Sequence, residues 1–150
     1  ENKPHIGVGV SGGPDSMALA YLLNKWIKYK KGKLTAIVFD HGIRINSKIE
    51  SLQVKQMLTD LDIYSLVIRP NKNKPLKKNM NNARDNRFEG LIRICKKNNI
   101  LHLFLGHHFD DNLETYLMRK INGSNLDGLE SINKTAYFKN IQIYPKINIS

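Results

Sequence analysis

Runs of Val, Ile, Leu and Phe alternate along the chain with stretches whose apolar residues recur every three or four positions. His5–Val10 reads as a first strand in which small and apolar residues alternate. Ser16–Lys30 reads as a helix with Leu19, Leu22, Leu23, Trp26 and Ile27 on one face. Leu34–Phe39 is a second strand, Ser47–Leu61 a second helix and Ile63–Arg69 a third strand. Asn71–Asn79, polar and rich in lysine around Pro75, reads as a loop. Met80–Asn98 has a helical period, Leu101–Gly106 is a fourth, apolar strand, and Asp110–Ile121 a further helix. Asn122–Leu129 is a turn region and Ile141–Tyr144 a fifth strand.

Short strands that are apolar on both faces and alternate with helices predict an α/β fold. The expected architecture is a doubly wound parallel sheet of about five strands in the order 3-2-1-4-5, with helices on both faces. Neither an internal repeat nor a linker divides the chain, so residues 1–150 read as one domain. It stops soon after the last strand, which suggests one domain of a longer protein.

Composition narrows the setting. A hydrophobic share of 41% suffices for an ordinary core, and no segment approaches the ~20 apolar residues of a membrane span. The first residues lead directly into a strand without a signal-peptide pattern. Cys95 is the single cysteine, so no disulfide framework is expected and the expected location is cytoplasmic, away from membranes. The net charge of +11, from 24 Lys and Arg against 13 Asp and Glu, attracts polyanions. Nucleic acid is the first candidate and anionic membrane the second; a lysine- and asparagine-rich composition without functional meaning stays open beside them.

The candidate chemistry begins where the first strand ends. Ser11-Gly12-Gly13-Pro14-Asp15-Ser16 occupies the turn into the first helix, at the sheet edge where ligands of such folds sit. Gly12 and Gly13 remove side chains that would keep an anion from backbone N–H groups. The following helix offers its unpaired N–H groups and positive dipole end. Ser11 and Ser16 add hydroxyl donors, and Asp15 can hold Mg²⁺ or cap the helix. Such a loop is a pyrophosphate cradle; a serine- and glycine-rich turn with an ordinary N-cap is the bland alternative. It lacks the lysine of a Walker loop, and Gly7 and Gly9 lie too early, inside the strand, for a dinucleotide fingerprint.

The loop resembles the Ser-Gly-Gly-x-Asp-Ser motif of the ATP-pyrophosphatase (PP-loop) superfamily. That resemblance implies an adenine nucleotide alpha hydrolase-like fold and a common chemistry: ATP adenylates a carbonyl oxygen, pyrophosphate leaves, and a nucleophile displaces AMP. Thiolating members need cysteines to carry sulfur, whereas Cys95 lies alone, spaced with Leu91 and Ile92 as a buried helical face would be. Glutamine-dependent members need a glutaminase domain, and none is present. An amine taken from solution is the better-supported nucleophile.

A second cluster follows the fourth strand: His107, His108, Asp110, Asp111 and Glu114. Strands one and four are neighbours in the expected order, so this segment would face the phosphate loop. Asp111 and Glu114, three apart on a helix, share a face and can hold an ammonium ion and accept its proton. His107 can protonate or stabilise groups at a reacting carbonyl. A metal site fits less well, because the spacing matches no familiar zinc pattern. Asp110 reads as an N-cap and first-turn charge, and for His108 a structural role is equally open.

"GHHFDDNLET" resembles the Gly-His-His-x-Asp-Asp-x-x-Glu-Thr segment of tRNA(Ile)-lysidine synthetases. "FDHGIR" (Phe39–Arg44), "MNNARDNRF" (Met80–Phe88) and "NGSNLDGL" (Asn122–Leu129) are similar to three further stretches of that family, in the same order. The resemblance is to the N-terminal catalytic domain and implies joining of free lysine to C2 of the wobble cytidine of a tRNA(Ile) with a CAU anticodon. It implies that Ser11, Gly12, Gly13, Pro14, Asp15 and Ser16 bind ATP phosphates, with Asp15 near Mg²⁺. Asp40, His41 and Arg44 would shape the nucleotide pocket. Asp111 and Glu114 would hold the lysine amine, and His107 and Arg87 would assist adenylation. Lys72, Lys74, Lys77 and Lys78 are candidates for tRNA phosphate contacts, whereas Lys28, Lys30, Lys31 and Lys33 read as a solvated helix end.

Asn122 and Asn125 depart from the family's usual Arg and Gly, and the match fades after Leu129. Further tRNA-gripping domains of a longer protein are expected, and a homodimer of that protein stays open. Two other readings remain: a tRNA thiolase of the same superfamily, and a non-catalytic nucleotide-binding domain.

Overall fold

A computed structural model describes residues 3–40, 46–69, 80–106, 136–138 and 141–147, with side chains described except at 80–88, 136–138 and 145–147. Its strands are β1 (His5–Val10), β2 (Lys33–Phe39), β3 (Ser65–Ile68), β4 (His102–Gly106), β5 (Ala136–Phe138) and β6 (Ile141–Ile147). The described helices are α1 (Pro14–Tyr29), α2 (Ser47–Asp60) and α3 (Met80–Lys97). The expected loop at 71–79, the helix at 110–121 and the turn at 122–129 lie outside the described residues.

One sheet takes the order β3-β2-β1-β4-β6-β5. β1 pairs in parallel with β2 on one side and β4 on the other, so Val8 stands between Ala36 and Phe104. The pairings of β2 with β3 and β4 with β6 are parallel as well. Five parallel strands therefore lie in the expected order, with β6 in the fifth place. An additional strand, β5, runs antiparallel along the edge of β6. Its three residues are too few to carry a period-two signal, which is why sequence pattern did not reveal it.

Alternation along the strands divides the core into two layers. Ile6, Val8, Val10, Leu34, Ala36 and Val38 face one side, where they pack with Leu19, Ala20 and Ile27 of α1 and Leu58 of α2. Ile37, Leu103, Leu105, Ile141 and Ile143 face the other, against Leu91, Ile92 and Cys95 of α3. Gly7 makes room on that second face: a Cβ there would stand 3.2 Å from Ile100 Cγ2 and 3.4 Å from Leu103 Cδ1.

α1 corrects one expectation. Its buried residues are Ser16, Leu19, Ala20, Asn24 and Ile27, whereas Leu22 and Trp26 are 48% and 46% exposed. Ser16, Ala20, Asn24 and Ile27 recur at helical spacing and form the stripe on the sheet. Position 26 points about a third of a turn away from it, and position 22 nearly half a turn. Small residues on the inner stripe let the helix approach closely, leaving larger ones outside.

Among the described residues no helix is long and apolar enough to cross a membrane. Leu103, fully buried in the core layer between the sheet and α3, is a sensitive point. Leu103→Ala should cost about 2–5 kcal/mol, read as a lowered midpoint in urea unfolding with an unchanged slope.

Cys95 is fully buried, and burial pushes its thiol up to about 12. The folded chain keeps this proton after an unfolded chain, titrating near about 8.5, has lost it. Its contribution to stability is thus complete below that value and is lost as pH rises toward 12. Cys95 should resist an aromatic disulfide reagent at neutral pH and react only under unfolding conditions, whereas rapid native labelling would contradict its burial.

Candidate active site

Val10 and Gly106, the last residues of β1 and β4, end at the same edge, because the register sets Gly9 opposite Leu105. β2 and β3 lead away to one side of β1 and β4 stands on the other. This is the topological switch point at which open α/β sheets form a crevice. The loop Ser11–Ser16 leaves β1 there.

Gly12 has φ +89, a conformation that costs a residue with a Cβ about 1–2 kcal/mol. A Cβ at this position would also come within 2.7 Å of Val54 Cγ2 on α2. Gly12 is thus required by its dihedral angle and by the helix leaning on it. Val54 supports the loop, a role that residue spacing did not reveal because its partner is distant in sequence.

Gly13 is the N-cap of α1 and makes no side-chain cap bond; Pro14 follows at the first helical position. The Met17 N–H is the first to bond back, to the Gly13 carbonyl at 3.1 Å. The start of α1 therefore retains the positive end that suits an anion. Ser11, Pro14 and Asp15 are exposed, and Gly12 and Gly13 partly so.

Ser16 differs from its neighbours in being only 3% exposed. Its hydroxyl donates to the Gly13 carbonyl at 3.1 Å and accepts the Ser11 N–H at 3.2 Å. The Ser11 hydroxyl lies 3.1 Å from it and accepts a longer 3.4 Å bond from the Gly13 N–H. Ser16 therefore holds the loop's shape from within. Ser11 Oγ and the Gly13 N–H are its outward polar groups, paired weakly with each other, which an incoming phosphate oxygen can replace as partner. The loop fits a phosphate chain: it is accessible, built on glycine where a Cβ would intrude, and set against a helix start.

Two other elements close on this edge. A Cβ at Gly106 would lie 3.5 Å from Ser16 Cα, so the end of β4 touches the first turn of α1. Gly90 of α3 lies against Ile68 and Phe39, where a Cβ would meet Ile68 Cγ2 at 3.2 Å. The backbone at Arg87, three residues earlier, stands one helical turn nearer the carboxyl edge.

Asp40 follows β2 at the same edge, 5% exposed. Its N–H donates to the Ile68 carbonyl at 2.8 Å, and its Oδ2 stands 3.7 Å from Arg69 Nε. Asp40 thereby ties the ends of β2 and β3 together; the Arg69 partnership was not anticipated from sequence. Of the other sequence-predicted site residues, His41, Arg44, His107, Asp111 and Glu114 lie outside the described residues, as does His108. Among the described residues no group of three His, Cys, Asp or Glu side chains gathers as a metal site.

Comparison with known proteins agrees with this geometry. The family model described as the PP-loop domain matches residues 1–147. The chain belongs to the PP-loop family. It is 35% identical to the tRNA(Ile)-lysidine synthase of Wolbachia pipientis wMel over 97% of its own length and 34% of that protein's. To the enzyme of the same name from Orientia tsutsugamushi (strain Boryong) it is 33% identical, over 100% of the chain and 34% of that protein. The chain thus spans about a third of the length of these curated relatives. Among solved structures it resembles the U34-tRNA thiolase NcsA from Methanococcus maripaludis, determined with its 4Fe–4S cluster. The TM-score is 0.66 at 21% identity, covering 97% of this chain and 51% of that one. At that identity the likeness is one of fold.

The PP-loop depends on Gly12. Gly12→Ala should lower stability by about 1–3 kcal/mol and reduce the rise in melting temperature that ATP produces. A variant as stable and as ATP-responsive as the native chain would show that the loop does not need this conformation.

Proposed function

We propose that this PP-loop chain is the catalytic domain of an ATP-dependent ligase that joins free lysine to a tRNA(Ile) with a CAU anticodon. The carrying observation is identity of 33–37% to enzymes named tRNA(Ile)-lysidine synthase over most of the chain. The phosphate-binding form of Ser11–Ser16 at the switch point supports it. The chain's share of its relatives' length supports a domain of a longer protein whose further parts grip tRNA.

In this reading the loop from Ser11 to Ser16 receives the phosphates of ATP, with Gly12 and Gly13 admitting them to the backbone and α1 offsetting their charge. Asp15, exposed in the first turn of α1, would hold Mg²⁺, which screens the phosphates. The C2 oxygen of the wobble cytidine attacks the α-phosphorus and pyrophosphate leaves. The lysine amine then attacks C2 and the oxygen departs with AMP. Asp111 and Glu114 hold the amine as an ammonium ion, take one proton to free its lone pair for attack on C2, and accept a second as the C–N bond forms. His107 and Arg87 offset the charge that gathers at the α-phosphate. Asp40 positions the end of β2, while His41 and Arg44 shape the nucleotide pocket. Such a reaction belongs in the cytoplasm.

The thiolase reading meets an obstacle within this chain. Its single thiol is buried in α3 with its proton held tightly, the opposite of the exposed, low-pKa thiolate a sulfur carrier requires. A nucleotide-binding domain without catalysis would have no use for the carboxylate pair at Asp111 and Glu114.

The test is transfer of radiolabelled lysine, with Mg-ATP, to unmodified tRNA(Ile) transcript bearing CAU, with tRNA(Met) as the control. Transfer to the first alone, with one AMP formed per lysine, is expected of the full-length protein. Asp111→Asn, Glu114→Gln and His107→Ala should each lower the rate by about 10²–10⁴-fold, with ATP binding kept. Failure of the full-length protein to transfer lysine would overturn the assignment.

A further inference from the structure

The end of the domain opposite the PP-loop gathers lysines and exposed tyrosines. α1 ends at Tyr29, and four lysines follow or flank it: Lys28, Lys30, Lys31 and Lys33. Spacing alone reads them as a solvated helix end. The structure shows a more ordered arrangement.

The turn is rigid. Lys31 adopts φ 55, and the Gly32 N–H donates to the Ile27 carbonyl at 2.9 Å. The Lys33 N–H donates to the Pro4 carbonyl at 2.8 Å. A Cβ at Gly32 would run into that same carbonyl and the Ile27 side chain. The lysines are therefore displayed from a fixed backbone. Lys28 Nζ bonds to Asp62 at 2.7 Å, and this bond holds the Asp62 carboxyl below its usual range. That bridge joins the end of α1 to the turn before β3, where Tyr64 stands.

Tyr29 and Tyr64 thus flank the bridge, with 81% and 56% of their surfaces exposed. Lys30 Nζ lies 5.7 Å from the Tyr29 ring centroid and Lys33 Nζ 5.5 Å from that of Tyr64. A lysine near a helix C-terminus complements the dipole, which explains Lys28. Dipole compensation does not explain two exposed tyrosine rings, each with an ammonium group on one face. Cations that contact a phosphate backbone beside rings that stack on bases are the composition of a surface for single-stranded nucleic acid.

We propose that Lys30, Lys31 and Lys33 with Tyr29 and Tyr64 form a second RNA contact, for a segment with unpaired bases. It lies at the sheet edge roughly 20 Å from the PP-loop, the length of β1 at about 3.3 Å per residue. The lysines contact phosphates and the tyrosine rings stack on bases. This rests on the reading of the substrate as an RNA, and adds a place where it is held away from the reacting end.

The test is fluorescence anisotropy of labelled unmodified tRNA(Ile) transcript across a salt series, with ATP binding and melting temperature as controls. Lys30→Ala/Lys31→Ala/Lys33→Ala should weaken binding about tenfold or more at low salt and reduce the salt slope by roughly two. Tyr29→Ala/Tyr64→Ala should weaken binding roughly tenfold with the salt slope little changed. Both variants should keep native melting and ATP affinity. Native binding and salt slope in both variants would overturn this surface and leave the substrate reading standing. A native chain, alone and in the full-length protein, that binds no RNA would overturn both. If a variant changes only the molar mass in solution, the face is a protein interface and the proposal fails.

Discussion

β1 bonds to β2 on one side and to β4 on the other, all three running the same way, and the rest of the site depends on that pairing. Parallel neighbours end at a common edge, so the loop after β1 and the chain leaving β4 emerge side by side. From β1 the sheet continues through β2 to β3 on one side and through β4 to β6 on the other. A crevice is the geometric consequence. The end of β4 meets the first turn of α1 there, at Gly106 and Ser16. A Cβ at position 106 would stand 3.5 Å from Ser16 Cα, in ordinary contact with the first turn of α1. Gly12 lets the loop turn beneath α2, as its φ of +89 and the nearness of Val54 require.

Much of this was readable in sequence because the signals are local. Period-two and helical spacing located β1, β2, α2 and α3 to within two residues at each end, and the glycine pair after β1 marked the phosphate loop. The signals that failed depend on partners distant in the chain. Leu22 and Trp26 look like core because they are apolar and helically spaced, yet the inner stripe runs through Ser16, Ala20 and Asn24. Nothing local announces that a small residue is the one that touches the sheet. Val54 and Arg69 were missed for the same reason, since their importance lies in Gly12 and Asp40. Strand β5 has meaning only through its ladder to β6. The second half of the candidate site, from His107 to Glu114, rests on motif and on the position of Gly106.

The PP-loop also shows how a buried polar side chain shapes an exposed one. Ser16 joins three loop groups through one oxygen, with the Gly13 carbonyl, the Ser11 N–H and the Ser11 hydroxyl all within 3.2 Å. Because these bonds are shielded, they fix the backbone before any anion arrives. The weaker bond, Gly13 N–H to Ser11 Oγ at 3.4 Å, lies on the outside. On the proposed reading the Gly13 N–H exchanges a poor internal acceptor for a charged phosphate oxygen without rebuilding the loop. Rigidity inside and a loosely held donor outside is what preorganisation for an anion requires.

Charge is distributed along the sheet axis by the handedness of the chain. Each described helix begins near the carboxyl edge and ends near the opposite one, because each crosses between parallel strands. The positive helix starts lie toward the carboxyl edge, that of α1 at the PP-loop, and the negative ends lie toward the opposite edge. Lys28, Lys96 and Lys97 occupy those last turns, where they oppose the local dipoles. Lys30, Lys31 and Lys33 lie past the end of α1 and exceed that compensation. On the proposed reading a polyanion meets attraction at both edges by different means: oriented backbone at one, ammonium groups on a hydrogen-bonded turn at the other. Backbone dipoles fall off within a turn of helix, so they can position a phosphate but not gather an RNA from a distance. Side-chain charge, which acts over a Debye length of about 8–10 Å, is suited to that second task.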